Sequence, residues 1–136
     1  MILLTPDLRF ALRANAIDRR AAVRDGKCEP DPVPVAKLFN PLGAATWLCV
    51  ELAGDGDTIH GLADLGFGTP EVGAFSLSEI ASLRLPFGMG IERDIGFATI
   101  HPISVWAEWS RRAGSILWAE TLLRRAAADE LPPEGG

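Results

Sequence analysis

The segment Ala45–Leu52, ATWLCVEL, constrains the fold more than any other part of the chain. It is almost continuously apolar, without the alternation of a strand that has one wet face. A run this short reads as a strand. With both faces apolar, it reads as a central strand covered on both sides.

The segments around it fit a sheet. Val35–Asn40 reads as a strand ended by Pro41-Leu42-Gly43. Gly54-Asp55-Gly56-Asp57 reads as a turn, which implies a hairpin into a strand at Thr58–Leu65. Residues 66–73, GFGTPEVG, read as a glycine-rich loop. Its glycines Gly66, Gly68 and Gly73 suit turns with positive φ. Their spacing is not G-x-G-x-x-G and no G-K-[ST] follows, so a phosphate cradle is not indicated. Phe75–Arg84 reads as a helix: Ser76 and Glu79 form a capping box, and Phe75 and Ile80 occupy the two staple positions. Pro86 and Gly88 stop it. Ile91–Ala98 reads as another strand, with Ile91, Arg93, Ile95 and Phe97 on one face and Glu92, Asp94, Gly96 and Ala98 on the other.

Both ends read as helical. Thr5 caps a first helix, Pro6 suits its first position and Asp7 its dipole. Leu8, Leu12 and Ala16 form one stripe, and Phe10, Ala14 and Ile17 a second; the helix fades by Asp25-Gly26. KCEPDPVP, residues 27–34, holds three prolines and reads as an extended connector. Pro102 opens a last helical region whose stripe runs through Ile103, Trp106, Trp109 or Ser110, Ala113, Ile116 or Leu117, Glu120, Leu123 and Ala127, with Gly114-Ser115 as a break and Ser115 as the second cap. ELPPEGG, residues 130–136, reads as a fraying end. The 136 residues suit a single domain over 1–136. The expected fold is α+β, a mainly antiparallel sheet of about four strands with N-terminal and C-terminal helices packed on it.

Composition removes several classes. No apolar run reaches the roughly 20 residues that cross a bilayer, and MILLTPDLRF lacks the three regions of a secretory signal. The expected location is cytoplasmic, away from membranes. Two cysteines, Cys28 and Cys49, make no disulfide framework, and two histidines, His60 and His101, give a zinc site little to build on. No cofactor motif is present, and neither a catalytic nor a metal-ligand set is assigned. The net charge is −5 and unevenly spread. Residues 31–104 carry three basic and nine acidic residues; residues 1–30 carry six basic and four acidic. A basic footprint for a nucleic-acid duplex is not obvious.

An ordered set of motifs is more specific than any one of them: LLTPDLR at the start, then VAKLFNP, ATWLCVEL, GLADLGFGTPEVG, SLSEI and GMGIERDIGF. Over roughly residues 2–110 this set resembles the bacterial family known as domain of unknown function 2958. The resemblance implies a small cytosolic protein carried on plasmids and other mobile elements. It implies no reaction. The segment at about 112–130 reads as a helical extension outside the matched part.

The charged residues within those motifs, Lys37, Asp64, Glu71, Glu92, Arg93 and Asp94, form the candidate binding set. Gathered carboxylates hold magnesium through oxygen ligands, but spacing alone does not bring these together. The alternative is structural pairing, with Arg93 finding a carboxylate such as Asp64 or Glu71, or a carbonyl, because an unpaired buried charge is costly. Cys49 reads as a buried, inert thiol. His60 and Asp64 share a strand face, which leaves a dyad or an ordinary hydrogen-bonded histidine. Trp109, Trp118, Arg111 and Arg112 are candidate contacts for a partner helix.

Three readings follow. The first is a non-enzymatic accessory protein of a mobile element that binds a host or element-encoded protein, for instance to inhibit restriction or CRISPR defence; a homodimer is a further partner option. The second is a metal-dependent phosphoesterase or nuclease using Asp64, Glu71, Glu92 and Asp94. The third, ranked behind a protein partner, is a nucleic-acid module in which Arg9, Arg13, Arg19, Arg20 and Arg24 join the C-terminal arginines in one basic face.

Overall fold

The computed structural model describes residues 2–130. In chain order it contains α1 (Pro6–Arg24), β1 (Ala36–Phe39), β2 (Thr46–Leu52), β3 (Thr58–Asp64), β4 (Glu71–Ser76), α2 (Leu77–Ser82), β5 (Glu92–Arg93), α3 (Ile103–Ala113) and α4 (Ile116–Glu130). The strands form one antiparallel sheet in the order β4-β3-β2-β1-β5. The fold is α+β with helices at both ends of the chain, and the sheet has five strands where about four are expected. The added strand is β4, which takes the second half of the glycine-rich stretch. Gly66 and Gly68 do adopt positive φ (90° and 85°), whereas Gly73 is an ordinary strand residue of β4.

All seven residues of β2 are buried, because the strand is central and covered on both faces. Trp47, Cys49 and Leu52 enter a core with Leu12, Leu38, Ile59, Leu77, Ile80 and Ile91 on the face covered by α1. Leu48 enters a second core with Leu62, Trp106, Ile116, Ala119 and Leu123 on the face covered by α3 and α4. Each fully buried leucine here contributes about 1.5–3 kcal/mol. Burial pushes the Cys49 thiol up to about 12, so it stays protonated and inert. Ser110 is also fully buried, and its Oγ has no hydrogen-bond partner among the described residues. Ser110→Ala removes that desolvated hydroxyl and is expected to gain about 1 kcal/mol, read as a higher urea midpoint.

The β2–β3 ladder is interrupted once. Cys49 pairs with Gly61 and Glu51 with His60, so Val50 is the extra residue of a β-bulge. α1 docks beside it with polar side chains as well as Leu12 and Ala16. Asn15 Nδ2 donates to the Val50 carbonyl (2.9 Å), Arg13 Nη1 to the Leu52 carbonyl (2.8 Å), and Arg19 Nε to both Glu51 carboxylate oxygens (2.9 Å each). Phe10 and Ile17, the second stripe of this helix, are exposed.

Capping follows the sequence closely. Thr5 Oγ1 accepts from Leu8 N, Ser76 Oγ from Glu79 N and Ser115 Oγ from Trp118 N. Phe75 and Ile80 meet in the same core, as a staple requires, but Phe75 belongs to β4, so α2 starts two residues later than expected. Gly114, with φ 81°, ends α3. That helix has no side-chain cap from its own Pro102. Asp31, in the proline-rich connector, reaches across to take the Ser104 N–H and hydroxyl.

The strand expected over 91–98 is corrected to two residues. Beyond Arg93 the chain turns: Phe97 N bonds to the Asp94 carbonyl and Gly96 N to the Asp94 carboxylate. The turn carries Phe97 to the α3 face, against Trp106, while Ile91 lies in the α1-side core, so the two do not share a face. No described helix is long and apolar enough to cross a membrane. Residues 131–136, most of the expected fraying end, lie outside the described residues.

The β2–β3 turn is held by two carboxylates. Asp55 accepts from Asp57 N, Thr58 N and the Thr58 hydroxyl (2.8, 2.8 and 2.7 Å), and Asp57 from the Ser76 hydroxyl and Ser78 N. The Thr58 hydroxyl bond first, then the backbone bonds, lower the Asp55 carboxyl to about 2. The folded value lies below the ordinary 3.8, so this stabilisation is full above about pH 4 and is lost as pH falls toward 2. The urea midpoint is expected to drop over that window, and less steeply in Asp55→Asn.

Candidate functional site

The candidate charged residues divide between separate places. Lys37 on β1 points to the α3–α4 face, beside Leu48, its cross-strand partner. Asp94 N donates to the Lys37 carbonyl (2.9 Å), which continues the β1–β5 pairing and brings the Asp94 carboxylate to 3.6 Å from Lys37 Nζ. The closer partner is Glu120 on α4, whose two carboxylate oxygens accept from Lys37 Nζ at 3.1 and 3.2 Å. Arg124 Nη2 stands 3.4 Å from the same carboxylate. Two cations and two carboxylates thus tie α4 to the β1–β5 side of the sheet.

Two cavities flank this knot. One, about 360 Å3, is lined by residues that include Lys37, Phe39, Asn40, Thr46, Asp94 and Leu117. The other, about 320 Å3, includes Thr99, His101, Trp106, Glu120, Leu123 and Arg124. The knot is a fastening. Glu120→Leu is expected to cost about 2–4 kcal/mol, because Lys37 stays buried with only Asp94 nearby, and Lys37→Met added to it recovers most of that. Urea denaturation of the single and double variants reads both.

Asp64 goes elsewhere. It is fully buried, and its carboxylate accepts from Gly66 N and from Ile116 N, the first residue of α4, at 2.9 Å each. His60, four residues back along the strand, is exposed whereas Asp64 is fully buried and bonded to backbone N–H groups, so the two form no dyad. Arg93 pairs neither with Asp64 nor with Glu71. Its Nη1 donates to the carbonyls of Leu3 (2.6 Å) and Ile2 (3.0 Å), binding the N-terminal segment to β5. Glu71 opens β4 at one edge of the sheet and Glu92 lies in β5 at the other, so the two cannot meet. Among the described residues no group of three or more His, Cys, Asp or Glu side chains is placed to hold a metal ion.

The proposed helix contacts are partly used internally. Trp109 packs against the second core, and Arg111 and Arg112 both bond Glu108 (2.7 Å each), holding its carboxyl below the usual range. Trp118 is exposed. α1 and the α3–α4 pair lie on opposite faces of the sheet, so their arginines do not form the single basic face that the third reading needs. Sequence reasoning missed Glu120 as a site residue. The signal was present: a half-buried glutamate beside the stripe of Ile116, Ala119 and Leu123 calls for a cation.

These features define a small α+β domain with a five-stranded antiparallel sheet, helices on both faces and an ionic knot fastening the last helix. A family model described as "Protein of unknown function (DUF2958)" matches residues 3–117, and the chain belongs to that family. The match runs through α3 and into the first turn of α4. No curated protein and no solved structure matches the chain.

Proposed function

We propose that this chain is a non-enzymatic interaction protein that presents its acidic middle segment to a basic surface of another protein. One observation carries the reading. Glu71 in β4 and Glu79 in the adjoining α2, both exposed, form no ion pair among the described residues, and neither does Glu92 at the opposite edge of the sheet, whereas Lys37, Asp64, Arg93 and Asp94 are engaged within the fold. Unneutralised surface carboxylates steer and orient a basic partner. The setting implied by the family resemblance, a plasmid or other mobile element in a bacterial cytoplasm, gives the class of partner. It is a host defence protein, of a restriction or CRISPR system, whose nucleic-acid-binding face is basic and would be blocked.

The test is a pull-down from bacterial lysate with the tagged full chain, with and without nuclease, over a salt series. The expected result is one stoichiometric protein that survives nuclease and is released as salt rises from about 0.1 to about 1 M, where screening shortens from about 10 to about 3 Å. Absence of a stoichiometric protein, or its loss on nuclease treatment, overturns the proposal. A complex indifferent to salt removes its electrostatic basis.

A further inference from the structure

We propose that the free edge of β4 is a strand-addition site for an extended, basic segment of a partner protein; this rests on the interaction reading above and names where and how the partner binds. The argument begins with the ladder. Leu77 N donates to the Asp57 carbonyl at 2.9 Å, which makes 57 and 77 a hydrogen-bonded pair. Hydrogen-bonded and non-hydrogen-bonded pairs alternate in an antiparallel ladder. With Ile59 opposite Phe75, Gly61 opposite Gly73 and Ala63 opposite Glu71, residues 71, 73 and 75 bond to β3. The N–H and C=O groups of Val72 and Ala74 therefore point away from β3, to the open edge. No described hydrogen bond outside the ladder engages residues 71–75.

Sheet edges of this kind are usually protected by proline, lysine, a bulge or a covering element. Among the described residues β4 itself has none of these, Pro70 standing just before it. Its sequence is EVGAFS, its register with β3 is unbroken, and residues 71–74 are all exposed. The end of the edge near Glu71 is apolar. Leu65 and Phe67, both exposed, line a cavity of about 170 Å3 with Ala63, Thr69 and Glu71. A lysine or arginine suits that place, its hydrocarbon stem along Phe67 and Leu65 and its cation at Glu71. On the opposite face of the strand Val72 and Ala74 offer small apolar contacts. The complementary segment thus alternates apolar and basic residues, and main-chain bonds to Val72 and Ala74 set its register. A second copy of the chain fits less well. Between residues 65 and 82 the only charged residues are Glu71 and Glu79, so another β4 edge brings no cation to Glu71.

The experiment is amide hydrogen exchange by nuclear magnetic resonance on the full chain, with a capped synthetic peptide of alternating valine and lysine. In the free chain Val72 and Ala74 are expected to exchange at least about ten-fold faster than Gly73 and Phe75. The valine–lysine peptide slows Val72 and Ala74, and a valine–glutamate peptide does not. Ala74→Pro removes an outward N–H and leaves the β3 ladder intact, so it abolishes the effect; proline is tolerated at an edge. Glu71→Gln weakens binding, and Glu71→Lys reverses the peptide preference; these two variants carry the test if Ala74→Pro does not fold. Unchanged exchange at Val72 and Ala74 with the peptide overturns the proposal. So does concentration-dependent protection in the free chain, which would give the edge to a second copy. A lysate partner that binds Ala74→Pro as tightly as the native chain overturns strand addition alone and leaves the interaction reading standing.

Discussion

Gly61→Ala is expected to lose more than about 4 kcal/mol of stability, a large part of the 5–15 kcal/mol a domain of this size has. A Cβ at this position overlaps the Leu48 carbonyl oxygen and stands 3.0 Å from its carbonyl carbon and 3.3 Å from Cys49 Cα. All three atoms are backbone of the central strand and have little freedom to retreat. The close approach arises at the bulge, where β3 crosses the irregular part of β2 opposite Cys49. Gly73 is the control, its neighbour across β3–β4. A Cβ there meets nothing within 4 Å, so Gly73→Ala is expected to be neutral or to gain up to about 1 kcal/mol by restricting the unfolded chain. Urea unfolding of the two variants separates steric exclusion from a general cost of replacing strand glycines. Equal midpoints would remove the steric account.

Asp64→Ala is expected to cost about 3–5 kcal/mol and to loosen α4. The substitution leaves the Ile116 N–H buried and unpaired and also frees the Gly66 N–H; each lost bond to a charged acceptor costs roughly 1.5–3 kcal/mol. Asp64 forms no ion pair among the described residues; its partners are backbone N–H groups. Two N–H groups point at it, and it sits at the positive end of the α4 dipole. Asp64→Asn keeps one good acceptor and should lose about half as much. Hydrogen exchange at Ile116 is the specific readout. A structural role elsewhere in the fold would leave that amide protected until global unfolding, whereas this one predicts local release.

Both predictions concern residues whose type was legible in the sequence and whose purpose was not. Asp64 stood out as a carboxylate among apolar residues, but its partner is an amide 52 residues away. Lys37 and Asp94 both belong to the candidate set, and their closeness is hidden in the sequence because it depends on the β1–β5 pairing. Glu120 was visible only as an odd member of an apolar stripe. Arg93 was expected to need a carboxylate or a carbonyl, and it found carbonyls at the N-terminal segment. The residues of β4 read as loop up to Gly73 and as helix from Phe75, because the glycines, the preceding Pro70 and the Ser76 cap dominate the local signal. A strand with little apolar alternation is defined mostly by the neighbour that pairs with it. The strand expected over 91–98 failed for the opposite reason: its alternation is real, but a turn seeded by Asp94 ends the pairing after two residues.

The sequence by itself determined the helices at both ends, their caps at Thr5, Ser76 and Ser115, the break at Gly114, and a central strand buried on both faces. Those features depend on interactions within a few residues, or on hydrophobicity that any fold must hide, so they are written locally. The tertiary structure alone decided which charged groups meet, where β2 bulges, and which edge of the sheet stays open. Each of these depends on how the strands register and on how the helices pack across them. A shift of one residue would turn every side chain to the other face, and no local pattern records which register the two packed cores select.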